Sequence, residues 1–595
     1  MKRCIKTRCP RLSAMATACA LTLLLAACSS DEEEVPELNA VEDPVTIRVD
    51  GLSGALLDNV QNTLAALPAI SRKRSFFFAR ELRDQTGKAL HALGYYHPKI
   101  EIKLPKRDDE SDRELTVKVD PGKPLFIRQS RIEILGEGAY YSSFARIIKE
   151  SGLATYDILD HGKYEAIKSA LRSNAMSLGF FDAKLQSSSI VVYQDLNVAD
   201  IYLVFDTGRR YEFGELRASD ATRELMEPSL GLYDLNQGEK FSSQRISDYQ
   251  SAMTRTGFYR SVDIHPVVAE RHDYQVPLEL ELERKSHNLM RIGPGFSTDE
   301  GPRLLVGWEK PLLNRYGHSL DTYARVSQIK QDAQLIYKIP RKDPNLDYYY
   351  LRLAQTHTDF NDTLSDLSHF SVHYVANHTG KWRRDFYLAA EYEDYEQGSE
   401  KGHAKNLMPG IKLGRRESSG GFDPHTGYSF SIDLTGGTRM ISDDDFVRAN
   451  LVWKGVLSPT ETTRLVYRAQ AGGLFGRDSL HVPPSLRFFT GGDQSVRGYG
   501  YLDESPLNPG GLKGGRYAFS GTVEFQFPCG IESARIATFL DAGEAVDDPA
   551  LSRLIYGPGL GFRYMSKYGT VKVDLAYGLQ RDSGFRLHFS FGPEF

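Results

Sequence analysis

Two periods of hydrophobic patterning divide the chain. In the first half, apolar positions recur every three to four residues in three places. Phe78, Leu82, Ala89 and Leu93 fall on one face of a predicted helix, as do Tyr164, Ile167, Leu171 and Leu178, and then Ile246, Tyr249 and Met253. Each helix runs into a Gly and two aromatics, Gly94-Tyr95-Tyr96, Gly179-Phe180-Phe181 and Gly257-Phe258-Tyr259, at intervals of about 80 residues. The Gly suits a left-handed helix end, and the aromatics open a strand. Alternating stretches follow each time: Lys99–Leu104 and Leu115–Val119, Ala183–Val192 and Ile201–Phe205, Ser261–Val268 and Leu278–Leu282. Others, such as Ile132-Glu133-Ile134, come ahead of the helices. The repeat is strand, helix, helix, strand, strand, and such a unit buries a small core of its own. Asp120-Pro121-Gly122-Lys123-Pro124 and Asp206-Thr207-Gly208 read as tight joints between units.

From about Leu289 the period falls to two. Phe430, Ile432 and Leu434 alternate with polar neighbours, as do Val523, Phe525 and Phe527 around Glu524 and Gln526, and Val571, Val573 and Leu575 around Lys572 and Asp574. Phe585, Leu587, Phe589 and Phe591 alternate with Arg586, His588 and Ser590. Each such strand shows one side to oil and one to water. A soluble sandwich would give the same local signal. Persistence to the chain end favours a membrane barrel, which must close into a ring because lipid offers no hydrogen bonds. Hairpins of roughly 38–40 residues give about 16 strands, and 14 or 18 fit the pattern as well.

Composition agrees. With 32 Tyr, 30 Phe and 52 Gly against 9 Met, the chain suits a β-rich protein, and a net charge of −5 leaves no basic excess for nucleic acid. Four of five cysteines lie in the first 28 residues, so only Cys529 remains in the body, without an internal disulfide partner. The N-terminus reads as an export signal: Lys2, Arg3, Lys6, Arg8 and Arg11, then an apolar stretch from about Ala14 to Ala27. It ends Leu25-Ala26-Ala27-Cys28, ahead of Ser29-Ser30 and Asp31-Glu32-Glu33-Glu34. This resembles a bacterial lipobox, which implies acylation of Cys28; an ordinary signal peptide with an incidental Cys is the other reading.

No catalytic constellation emerges. A Gly-x-Ser-x-Gly elbow, a P-loop and His-Glu-x-x-His are all missing from the sequence, so no enzyme activity, cofactor or metal is expected. Asp359-Phe360-Asn361 opens like a calcium loop, but Leu364 and Phe370 stand where the turn Gly and the closing Glu belong.

One motif is specific. Arg487-Phe488-Phe489-Thr490-Gly491-Gly492-Asp493-Gln494-Ser495-Val496-Arg497-Gly498-Tyr499-Gly500-Tyr501 cannot continue a strand and reads as a loop of definite shape. It is similar to the Val-Arg-Gly-(Phe/Tyr) loop of the POTRA-barrel outer-membrane assembly superfamily, and the three repeats ahead of it resemble POTRA domains. Gly293-Pro294-Gly295-Phe296-Ser297-Thr298-Asp299-Glu300-Gly301-Pro302-Arg303 is similar to that superfamily's first barrel strand and turn. From about residue 45 to 595 the chain looks like the TamA family, the outer-membrane subunits of translocation and assembly modules.

The N-terminal pattern gives a lipoprotein-like signal segment 1–28 ending at Cys28 and an acidic linker 29–44; the resemblance implies POTRA domains over 45–124, 125–208 and 209–285 in the periplasm, and an outer-membrane β-barrel over 286–595. It implies that the loop folds into the lumen through Val496, Arg497, Gly498 and Tyr499, with Glu524 and Asp541 as partners of Arg497. Alternation places both acids facing inward, and a forked guanidinium–carboxylate pair is a strong anchor. It further implies a lateral seam at Ile292, Gly293, Pro294 and Gly295 against Phe589 and Phe591. There Pro294 lacks an N–H, and a client strand would add to the opened edge. Gly-Pro-Gly can also mark a plain strand end or bulge, and Gly557-Pro558-Gly559 occurs away from the seam. The terminal Phe595 resembles the signal by which outer-membrane barrels are inserted. The implied function is insertion or assembly of outer-membrane proteins such as autotransporters. The implied partners are a TamB-like periplasm-spanning inner-membrane protein, unfolded outer-membrane clients and outer-membrane lipids. Two alternatives stand beside it: a two-partner secretion pore, opposed by three repeats and no plug helix, and phospholipid delivery. The lipobox-like signal departs from the family's plain signal peptide and bears on how the N-terminus is anchored.

Overall fold

A computed structural model describes residues 44–105, 113–377, 381–419, 423–460, 462–479, 481–531, 533–566, 569–580 and 584–592; Cys28 and Phe595 lie outside them. Three αβ units come first. Unit one is β1 (Thr46–Asp50), α1 (Ala55–Ala65), α2 (Ser75–Ala92), β2 (Lys99–Lys103) and β3 (Glu114–Asp120). Unit two is β4 (Phe126–Leu135), α3 (Ser142–Glu150), α4 (His161–Leu178), β5 (Lys184–Tyr193) and β6 (Val198–Asp206). Unit three is β7 (Glu212–Arg217), α5 (Asp220–Met226), α6 (Ser243–Arg255), β8 (Tyr259–Pro266) and β9 (Gln275–Arg284). In each sheet the last strand lies in the middle, parallel to the first and antiparallel to the second.

The helix ends explain the repeated Gly-aromatic signal. Gly94 has φ +87° and Gly179 φ +88°. The following amides reach back across the last turn, Tyr95 N to Leu90 O at 3.0 Å and Phe180 N to Ala175 O at 2.8 Å, which caps the free carbonyls. The helix faces then meet the middle strands. In unit one Val60, Leu64, Leu82, Ala89 and Leu90 pack on Leu115, Val117 and Val119, all buried. Each full burial of such a side chain is worth about 1.5–3 kcal/mol. In unit three Ile246, Tyr249 and Met253 do the same against Leu278, Leu280 and Leu282.

The chain forms two bodies, one through Asn174 with Ala183–Gly208, the other Ala175–Asp182 with Arg209 onward. Within the first, units one and two meet tightly: a Cβ on Gly94 would lie 2.3 Å from Leu159 O, and Tyr96 Oη is 2.7 Å from His161 Nε2. Within the second, unit three grips the barrel. Leu312 enters its core, Arg284 Nη2 donates to Leu312 O at 2.7 Å, and Asn345 Nδ2 to Ala252 O at 2.9 Å.

The barrel is a 16-stranded antiparallel sheet in which sequence neighbours pair. Its strands are β10 (Leu289–Ser297), β11 (Gly301–Lys310), β12 (Ser319–Val326), β13 (Lys330–Pro340), β14 (Asp347–Phe360) and β15 (Thr363–Ala376). There follow β16 (Arg383–Gln397), β17 (Glu400–Ser418), β18 (Gly427–Gly437), β19 (Phe446–Leu457) and β20 (Arg464–Phe475). After a long connection holding a small hairpin, β21 (Leu507–Asn508) and β22 (Gly511–Leu512), come β23 (Tyr517–Pro528), β24 (Ala534–Val546), β25 (Ile555–Ser566), β26 (Gly569–Tyr577) and β27 (Phe585–Gly592). Period-two patterning sorts the side chains: Val523, Phe525 and Phe527 are exposed outward while Glu524 and Gln526 are buried inward.

Candidate functional site: the lumen loop and the seam

The connection Gly476–Arg516 turns back into the barrel. Thr490 and Glu504 exchange backbone hydrogen bonds at 2.9 and 3.0 Å, which closes the loop that carries the motif. Gly491 at φ +107° permits the fold-back; a Cβ there would lie 2.2 Å from Gly500 O. Val496, Arg497 and Tyr499 are buried at its tip.

Arg497 is held by three strands. Its Nε and Nη2 fork onto Asp541 at 2.7 and 2.9 Å, while its backbone N–H donates to Asp541 Oδ2 at 3.0 Å. Nη1 reaches Glu524 Oε2 at 3.0 Å and Asp574 Oδ2 at 2.9 Å. The guanidinium lies 3.3 Å from the centroid of the Phe539 ring, a cation–π contact. A second cation, Arg563, completes the cluster by donating to Glu524 at 3.0 and 2.8 Å and to Asp574 at 2.5 Å. Two guanidiniums therefore share three carboxylates, and Arg468 lies within electrostatic reach of Asp541 while donating to Gln494 and Ser495. Charges so placed must be matched, because an unpaired buried ion costs several kcal/mol.

Missing side chains make room for the tip. A Cβ on Gly557 would meet Arg497 O at 1.9 Å, and one on Gly543 would meet Val496 Cγ2 at 2.9 Å. Gly498, at φ +96°, lies against Gly578 N. Gly557-Pro558-Gly559, which the sequence offered only as a second copy of the seam tripeptide, is thus the floor on which the motif rests. Asp574, Arg563 and His588 also escaped the sequence reading. Each alternates inward on its strand, and charge at inward positions was the available signal.

At the seam, β10 keeps an unbroken nine-residue register with β11 from Leu289↔Glu309 to Ser297↔Gly301. Gly293-Pro294-Gly295 is therefore neither a strand end nor a bulge, and Pro294 offers no N–H. Against β27 the contacts are few. Among the described residues one backbone bond joins the two sides, Thr298 N to Phe589 O at 3.3 Å, backed by Phe589 N to Thr298 Oγ1 at 3.2 Å. The Phe296 and Phe589 rings sit 5.9 Å apart; Ile292 and Phe591 are exposed outward.

The loop reaches both sides of this seam. Asp493 N donates to Asp299 Oδ2 at 2.8 Å on the β10–β11 turn, and His588 Nδ1 on β27 lies 2.5 Å from Asp493 Oδ1. Gly498 N–H donates to His588 Nε2 at 3.0 Å, so that nitrogen carries no proton and Nδ1–H faces Asp493. Asp299, Asp493 and His588 bring ligand atoms within 4.8 Å of one another, as a cation site would. The arrangement does not suit a metal, however, because the one imidazole lone pair is already taken by Gly498.

Known proteins resemble the chain in the same parts. The family "POTRA domain TamA domain 1" matches residues 46–121, "Surface antigen variable number repeat" matches 128–207, and "Omp85 superfamily domain" matches 299–595. The outer membrane protein assembly factor BamA of Nitratidesulfovibrio vulgaris is 24% identical over 392 residues, 60% of this chain, and the match spans 48% of that relative's length. In fold, the barrel and preceding units are similar to the crystal structure of Haemophilus ducreyi BamA lacking POTRA domains 1–3, with a TM-score of 0.61 at 15% identity over 78% of this chain and 99% of that one. CdiB from Acinetobacter baumannii aligns over 91% of this chain and 99% of its own with a TM-score of 0.43 and 14% identity.

Proposed function

This chain belongs to the Omp85 superfamily, and we propose that it is the outer-membrane subunit of a translocation and assembly module. In this reading the three units are POTRA domains over 45–124, 125–208 and 209–285 in the periplasm, and 286–595 sits in the outer membrane. Clients are unfolded outer-membrane proteins such as autotransporters, and a TamB-like inner-membrane protein bridges the periplasm. Cys28, if acylated, adds a second anchor.

The observation that carries the reading is the contrast between a firmly held loop and a weakly closed seam. Arg497 is fixed to Glu524, Asp541 and Asp574, whereas among the described residues the seam has one backbone bond, from Thr298 just past β10 to Phe589 of β27. Unpaired backbone groups in lipid are costly, so an edge of this kind takes up a strand that satisfies them. Energy then comes from client folding and strand exchange.

The test is photo-crosslinking in cells from a probe at Ile292, which is 72% exposed beside the seam. Several different barrel proteins among the adducts are expected. One dominant secreted protein would replace this reading by a secretion pore, and phospholipid alone by lipid delivery. Mass spectrometry of the mature N-terminus decides Cys28: an unmodified peptide starting downstream ends the acylation reading.

A further inference from the structure

Phe76 and Phe77 open α2 with their rings in water. They are 64% and 78% exposed and sit edge to face, 6.0 Å apart, while Leu82, Ala89 and Leu90 of the same helix enter the core. Cations surround them. Arg72, Lys73 and Arg74 form the tight turn just ahead, and Arg80, Arg83 and Lys88 continue along the exposed face. From residue 72 to 88 six cations face two acids, Glu81 and Asp84, on a chain whose net charge is −5. The cluster is thus a basic island on an acidic protein.

Two large rings set among Lys and Arg match a bilayer boundary, where rings enter the headgroup–acyl zone and cations meet phosphates. Phe and Arg also suit a protein interface, whereas Lys73 and Lys88 are of a type depleted there. Chain length points the same way: the residues between Cys28 and β1 span at most about 60 Å even when fully extended. If Cys28 is acylated, unit one is kept near that membrane.

We propose that Phe76 and Phe77, with Arg72, Lys73 and Arg74, form a docking surface for the phosphate headgroups of an anionic bilayer, the periplasmic leaflet of the outer membrane. This rests on the outer-membrane reading given above.

The test uses the full chain carrying p-benzoylphenylalanine at position 77, reconstituted in vesicles of phosphatidylethanolamine and phosphatidylglycerol (3:1) and irradiated. A phospholipid adduct is expected. Its yield should fall at least about tenfold in phosphatidylcholine vesicles, in 1 M salt, or on joint Arg72→Glu, Lys73→Glu and Arg74→Glu replacement. The salt arm needs no variant, so it stands even if the triple change unfolds the unit. A lipid adduct indifferent to all three changes overturns the headgroup assignment. An adduct to protein instead, or none, overturns the docking. Heat-modifiability read on the same sample shows whether the barrel is folded, so loss of the adduct on a folded barrel counts against the docking alone and leaves the assembly reading standing.

Discussion

Arg497 shows how much one side chain can be asked to do. It closes five side-chain and backbone contacts to three strands, and its loss leaves Glu524 and Asp574 to Arg563 alone and takes the forked guanidinium from Asp541. Arg497→Ala should destabilise the folded barrel by about 3–5 kcal/mol, read as a lower temperature for the heat-modifiability shift. Arg497→Lys should not restore it, since an ammonium cannot make the fork. An unchanged shift in both variants would remove the anchor idea. Gly557→Ala should reproduce the defect without touching a charge, because the added methyl would occupy the place of Arg497 O. Gly584→Ala, with nothing within 4 Å of its Cβ, should behave as wild type.

At the scale of elements, the seam is weakly closed and the joint between the first two units is tightly packed, and each makes a prediction. Phe296→Cys with Phe589→Cys, in a Cys529→Ser background, should block client assembly under oxidising conditions and recover with reductant; assembly that persists when locked argues against passage between β10 and β27. The joint should respond to pH through His161. Burial lowers the His161 imidazole below its ordinary value, and His91 adds to this against the opposing pull of Asp160 and Glu165. The folded state therefore favours the neutral ring. Its contribution is complete above the unfolded value near 6.5 and is lost as pH falls through the lower folded value. Hydrogen exchange of the Gly94–Tyr96 amides, corrected for intrinsic rate, should be less protected at pH 5 than at pH 7.5. His161→Gln should flatten that difference. Equal protection at both pH values in the native chain would rule out the mechanism.

For the molecule as a whole, the loop held in the lumen should obstruct it as well as anchor it. Deleting Gly491–Tyr501 should raise single-channel conductance in planar bilayers; unchanged conductance would mean that the motif does not obstruct the lumen. Much of the architecture was legible in advance because it rests on local rules. Helix period, Gly ends and period-two strands each depend on residues close in sequence, and alternation alone turned Glu524 and Asp541 inward. What escaped depends on distant segments. Nothing near Gly557 announces that Arg497 O will approach it, and nothing near His588 announces Gly498. Asp574 was visible as an inward charge on β26, but its role needed the position of a loop 77 residues away.

The even strand count has a consequence of parity. In a sheet whose neighbours all run antiparallel, strand one and strand sixteen point in opposite directions. Anything that hydrogen-bonds to the free side of β10 in continuation of that pattern must travel as β27 does. The edge thus accepts polarity before it accepts sequence. A client barrel with an even number of strands presents its last strand in that direction when its ends lie on the same side as those of its host. An odd-stranded client presents its first and last strands parallel to each other and cannot close against its own start by the same geometry. Selection among clients would begin, on this account, with direction and number.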